Sequence, residues 1–117
     1  MEGVSKAVTN ESYGDLWEAG TYHCANCNRP LYSSTDKWRA QCLWPTFRAP
    51  IANGSLKTVV APKGSYNEYR CEVRELYCGF CDLFLGHQFL DGRESGDSHP
   101  RAKWRHCTLS LSLNFVG

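Results

Sequence analysis

Two Cys-x-x-Cys pairs, Cys24-Ala25-Asn26-Cys27 and Cys78-Gly79-Phe80-Cys81, stand 50 residues apart, and they constrain the fold of this chain more than any other feature. In each pair a two-residue spacer turns the backbone so that both sulfurs face one point, and two such knuckles supply a closed tetrahedral shell of four sulfurs. Gly79 suits the tight turn. Soft thiolates in a closed tetrahedron select zinc, and a full shell leaves no position for a water, so one structural zinc ion is expected. A single Cys-x-x-Cys can also be a thioredoxin-like redox pair, but neither copy here lies in a βαβ pattern. The staple suits a chain of 117 residues, long enough for one domain with a modest core.

Between and beyond the knuckles, Gly, Pro, Asn and Asp punctuate the sequence at Asn28-Arg29-Pro30, Ala49-Pro50, Asn53-Gly54, Pro62-Lys63-Gly64 and Asp91-Gly92, leaving little room for a long helix. The intervening segments read as strands. Leu56 to Val60 and Tyr69 to Arg74 carry β-branched or aromatic residues with partial alternation, and Thr108 to Val116 alternates through Leu109, Leu111, Leu113 and Phe115. The expectation is a mainly β fold: a small antiparallel domain over residues 21–117, clipped by the four-cysteine zinc site and preceded by an irregular or helical arm over residues 1–20.

A formal charge of +1, without a long basic run, lacks the electrostatic footprint of a nucleic-acid binder. Four thiolates and a dication would bring that to about −1. No stretch reaches the length of a membrane span, and residues 1–20 hold no apolar signal core. Seven cysteines, an odd number, argue for reduced thiols in the cytoplasm, or in the nucleus, over a disulfide framework. A monomer is expected.

Three further blocks stand in order along the chain: Cys42-Leu43-Trp44-Pro45-Thr46-Phe47, Leu85-Gly86-His87-Gln88-Phe89, and Arg105-His106-Cys107 leading to Ser112-Leu113-Asn114-Phe115-Val116. Together with Gly20 to Cys27 they closely resemble the methionine-R-sulfoxide reductases, the B type. The resemblance implies an oxidoreductase that reduces methionine R-sulfoxide, free or in proteins. On it, Cys107 matches the nucleophile and Cys42 the resolving cysteine. The sulfenic acid formed on Cys107 would condense with Cys42 to a disulfide, which thioredoxin or a similar dithiol would reduce. His87 matches an acid-base group, and Trp44 the ring that receives the substrate methyl.

The chemistry agrees with those assignments. A thiolate suits attack on a sulfur atom, and Arg105, two positions from Cys107 and on the same face of a strand, would favour that thiolate. An aromatic face suits an S-methyl group. Phe47 reads as core, His23 and His99 as surface, and Cys71 as a core thiol.

The resemblance also has gaps. The commonest members carry histidine, valine and asparagine where this chain has Phe84, Gln88 and Leu109, and the selenocysteine-type branch lacks the same trio. The alternative is a non-catalytic ligand-binding module on the same zinc-clipped fold.

Overall fold

The structure, a computed structural model, describes residues 13–40, 44–61 and 71–117. Its regular elements are β1 (Thr21–Cys24), β2 (Pro30–Ser33), β3 (Lys37–Trp38), β4 (Thr46–Phe47), β5 (Leu56–Val60), β6 (Val73–Cys78), β7 (Phe84–Phe89), β8 (Arg105–Thr108) and β9 (Leu113–Val116). Single 3-10 turns lie at Ser34–Asp36 and Ser110–Ser112. The strands form two sheets, β2-β1-β9 and β3-β4-β8-β7-β6-β5, and every pairing is antiparallel. The mainly β expectation therefore holds.

Two segments depart from the alternation seen in the sequence. The strand expected over Tyr69 to Arg74 begins only at Val73 and runs on to Cys78, because register with β7 starts at the Val73–Phe89 pair; Tyr69 and Arg70 lie outside the described residues. Thr108 to Val116 is not one strand. The chain leaves the larger sheet after Thr108, turns through Ser110–Ser112 and enters the smaller sheet as β9. Leu109 N–H still bonds Leu85 O in the larger sheet, whereas Ser112 O accepts from Ala25 N–H. Leu111, at the turn, is exposed.

The main core fills the space between the sheets with Tyr22, Leu31, Tyr32, Phe47, Leu76, Leu85 and Leu113. Phe47 is fully buried there and stacks on Tyr32 with ring centroids 4.2 Å apart, as expected for a core residue. The inward face also holds a polar line. Gln88 Nε2 lies 3.1 Å from His106 Nε2, and His106 Nδ1 lies 3.0 Å from Tyr32 Oη. Burial lowers the His106 pKa to about 3, so the ring is neutral: the Gln88 amide donates to Nε2, and Nδ1–H donates to the Tyr32 oxygen.

Lys37 is buried on this side too. Its ammonium donates to the carbonyls of Tyr13 and Leu16 and to Tyr22 Oη. Tyr13 and Leu16 pack against the core, so the described part of the arm is tied down, and no helix forms in it. Residues 1–12 of the arm lie outside the described residues.

Candidate functional site

Each Cys-x-x-Cys knuckle closes the end of a strand, Cys24 ending β1 in the smaller sheet and Cys78 ending β6 in the larger. The two turns repeat one hydrogen-bond pattern. Cys24 N–H donates to Arg29 O and Cys78 N–H to Leu83 O, both at 2.8 Å, while Asn28 N–H returns to Cys24 O and Asp82 N–H to Cys78 O. Asn28 and Asp82 take positive φ values of 62° and 67°, the left-handed conformation that short polar side chains tolerate.

The four sulfurs lie within 4.8 Å of one another, with Cys24 to Cys81 at 3.5 Å and Cys27 to Cys78 at 3.6 Å. A tetrahedral shell with metal–sulfur bonds of about 2.3 Å has sulfur–sulfur edges of about 3.8 Å. The four-cysteine group therefore has the donor set and spacing to hold a metal ion, and such an ion would join the two sheets.

The second cluster of chemistry lies on the outward face of the larger sheet. Cys107 on β8 is flanked in register by Thr46 of β4 and His87 of β7, and directly paired residues project from the same face. Thr46 Oγ1 is 4.0 Å from Cys107 Sγ. Gly86 permits the close approach of β7 to β8: its φ is +148°, and a Cβ there would run into the Cys107 carbonyl oxygen. Cys107, Val73 and Phe89 form a small apolar cluster against which Trp44 and Cys71 pack.

Arg105 supplies the charge. Its Nη1 donates to Cys107 Sγ at 3.1 Å, while Nε and Nη2 donate to the two carboxylate oxygens of Asp91 at 2.8 and 3.0 Å. The guanidinium also lies 4.2 Å from the Phe89 ring centroid. Burial works against its charge, but the bonds to Asp91 and the proximity of Cys107 outweigh it, and its pKa is raised. A cation fixed in this way stabilises negative charge on the Cys107 sulfur.

His87 faces the same surface opposite Cys107. Burial lowers its pKa and the Glu75 carboxylate, its register partner on β6, pulls the other way. The Phe84 ring meets the His87 ring edge-on at 5.4 Å, so the first of the three departures replaces a polar group beside His87. Gln88 points to the opposite face and belongs to the core. Leu109 begins the crossover between the sheets.

Of the residues singled out in the sequence, the fold brings Cys107, Arg105, His87 and Trp44 together; Cys42 lies outside the described residues. Cys71 is half-buried just before β6, where burial and then Asp91 raise its pKa. It packs against the cluster of Val73, Phe89 and Cys107, within the electrostatic reach of Asp91 and Arg105. His23 and His99 are half-buried and not fully on the surface; His23 bonds Thr21 and Asn28 O. Sequence reading missed Asp91, seen only as half of an Asp-Gly break, and Thr46, because both act through pairings between distant segments.

The SelR domain family matches the chain over residues 1–117. The peptide methionine sulfoxide reductase MsrB of Methylibium petroleiphilum is 37% identical over 113 residues, covering 97% of this chain and 74% of the relative. The protein of the same name from Pseudomonas putida is 35% identical over 115 residues, covering 98% and 77%. The crystal structure of the Mis18 "Yippee-like" domain is similar with a TM-score of 0.63 at 16% identity, over 86% of this chain and 97% of that one. That likeness is one of fold alone.

Proposed function

The chain belongs to the SelR domain family, and from that premise we propose a thiol mechanism for its activity as an oxidoreductase acting on methionine sulfoxide. The observation that carries it is the Arg105–Cys107 contact of 3.1 Å, with His87 opposite in register. Cys107 attacks the sulfoxide sulfur, and the oxygen passes to the Cys107 sulfur as the S–O bond of the substrate breaks. The net step converts thiol and sulfoxide into sulfenic acid and methionine. His87 delivers the proton that the departing oxygen needs. Trp44, packed against the Cys107 cluster, receives the substrate methyl on its ring.

Cys42 then displaces water from the sulfenic acid to form a Cys42–Cys107 disulfide. A dithiol such as thioredoxin restores both thiols and leaves as its own disulfide. The substrate is the R epimer, free or in proteins. Zinc is the ion we assign to Cys24, Cys27, Cys78 and Cys81, because four thiolates in a closed tetrahedron favour it and leave no open position. Zinc there supplies a structural cross-link. Cys78 lies three residues and two strands from Cys107, about 14 Å along the sheet.

The test is turnover of resolved R and S sulfoxide epimers with dithiothreitol or thioredoxin, for wild type and Cys107→Ser. Reduction of the R epimer that is lost in the serine variant is expected. Turnover of the S epimer alone, or undiminished turnover by Cys107→Ser, would overturn the reading. Mass spectrometry of the oxidised protein tests the Cys42 assignment.

A further inference from the structure

Trp38 has the one buried side-chain nitrogen or oxygen without a hydrogen-bond partner among the described residues, its indole Nε1, in a side chain 8% exposed. A buried donor left unpaired is unfavourable, and native proteins satisfy nearly all of them. A phenyl ring could fill much of the same space without that cost. The position of the indole suggests what its N–H serves.

Trp38 pairs with Thr46 across β3 and β4, Thr46 with Cys107 across β4 and β8, and Cys107 with His87 across β8 and β7. The four side chains make one row on the outward face. Trp38 therefore flanks Cys107 on the side away from His87, with the short Thr46 side chain between them. Two cross-strand steps of about 5 Å place its Cβ about 10 Å from that of Cys107. Thr46 and Cys107 are 1% and 3% exposed, so a substrate that reaches the sulfur has to uncover this row, and the indole edge with it.

We propose, on the reading of Cys107 as nucleophile, that Trp38 Nε1–H is a specificity-determining donor to the main-chain carbonyl of the methionine sulfoxide residue. The sulfoxide sulfur bears three groups. Its oxygen is committed to the His87 side and its methyl to Trp44, which leaves the arm leading to the main chain to run over Thr46 towards Trp38. From that sulfur to the carbonyl oxygen of its own residue is about 5–6 Å, and a hydrogen bond of about 2.9 Å then fits within the 10 Å row spacing. The indole would so distinguish a substrate with a carbonyl at that place from a bare alkyl methyl sulfoxide.

The experiment compares N-acetylmethionine R-sulfoxide N-methylamide with the matching epimer of N-acetyl-3-(methylsulfinyl)propylamine, which keeps the side chain and the acetylamino group and lacks the main-chain carboxamide. Turnover with dithiothreitol is measured for wild type and Trp38→Phe, together with Tm. Trp38→Phe should lower kcat/KM for the methionine sulfoxide derivative about five- to tenfold, chiefly through KM, and leave the substrate without the carboxamide unchanged. A cooperative thermal transition confirms that the variant is folded, its Tm reflecting both the lost unpaired donor and the small cavity left by the shorter ring. Equal losses on both substrates, or no loss on the methionine sulfoxide derivative, would overturn the proposal. A wild type that reduces neither substrate would remove the reading on which the proposal rests, and the proposal with it.

Discussion

Replacing Arg105 with Met removes the guanidinium that touches Cys107 while keeping an apolar stem against Phe89. Nη1 lies 3.1 Å from Sγ, and the arginine side chain is 12% exposed, so water and salt screen the pair weakly. An opposite charge within about 4–6 Å is worth about 1.4–4 kcal/mol to the ionised form. Removing it should lower the thiolate fraction at pH 7 by about 10- to 1,000-fold. The remaining thiolate is more nucleophilic, with a Brønsted slope of about 0.4–0.5, which returns roughly half of that logarithm. Alkylation of Cys107 by iodoacetamide, followed by mass spectrometry of its peptide, should therefore slow by about 3- to 30-fold.

The variant leaves Asp91 without its partner, so Arg105→Met with Asp91→Asn is the necessary companion and should show the same slowing. Arg105→Lys should fall between, because one ammonium cannot hold both Asp91 oxygens and still reach the sulfur. If Cys107 in a folded Arg105→Met protein alkylates at the wild-type rate, the contact does not stabilise the thiolate and the electrostatic argument fails.

Phe84→His with Leu109→Asn should raise the turnover of R-sulfoxide, since Phe84 packs edge-on against His87 and a second imidazole there would add a proton donor; an unchanged kcat with the same reductant would show that those groups do not limit the rate. The protein should contain about one zinc per chain by elemental analysis, and chelation should abolish activity together with the β-sheet circular dichroism signal, because an ion held by cysteines of both sheets would join them; activity lost from a sheet that stays folded would contradict a structural role. With His87 held below the usual imidazole range by burial against the pull of Glu75, the limb of kcat/KM that reports its proton should show activity falling as pH rises through that lowered value. Glu75→Gln removes the raising influence, so the limb should move to lower pH, and a shift upward would sink the assignment.

The four-cysteine group and the immediate surroundings of Cys107 were legible because they are local. A two-residue spacer decides on its own that Cys24 and Cys27, or Cys78 and Cys81, can face one point. A two-residue step along a strand decides that Arg105 and Cys107 share a face. The alternation from Leu109 to Phe115 was legible too and misled, because a strand that stays in one sheet and a chain that turns from one sheet into another carry the same pattern of apolar residues. Only the 3-10 turn at Ser110–Ser112 separates them.

By itself, then, the sequence determined a β domain with two Cys-x-x-Cys knuckles and a candidate nucleophile with a cation two positions away. The tertiary structure alone decided that Asp91 holds that cation, that Gln88 faces His106 in the core, and that Trp38, Thr46, Cys107 and His87 stand in one row. The physical reason is register: side chains on neighbouring strands meet according to how the strands are aligned, and a shift of one residue would send each to the opposite face. That alignment depends on the packing of the whole sheet, which no local spacing encodes.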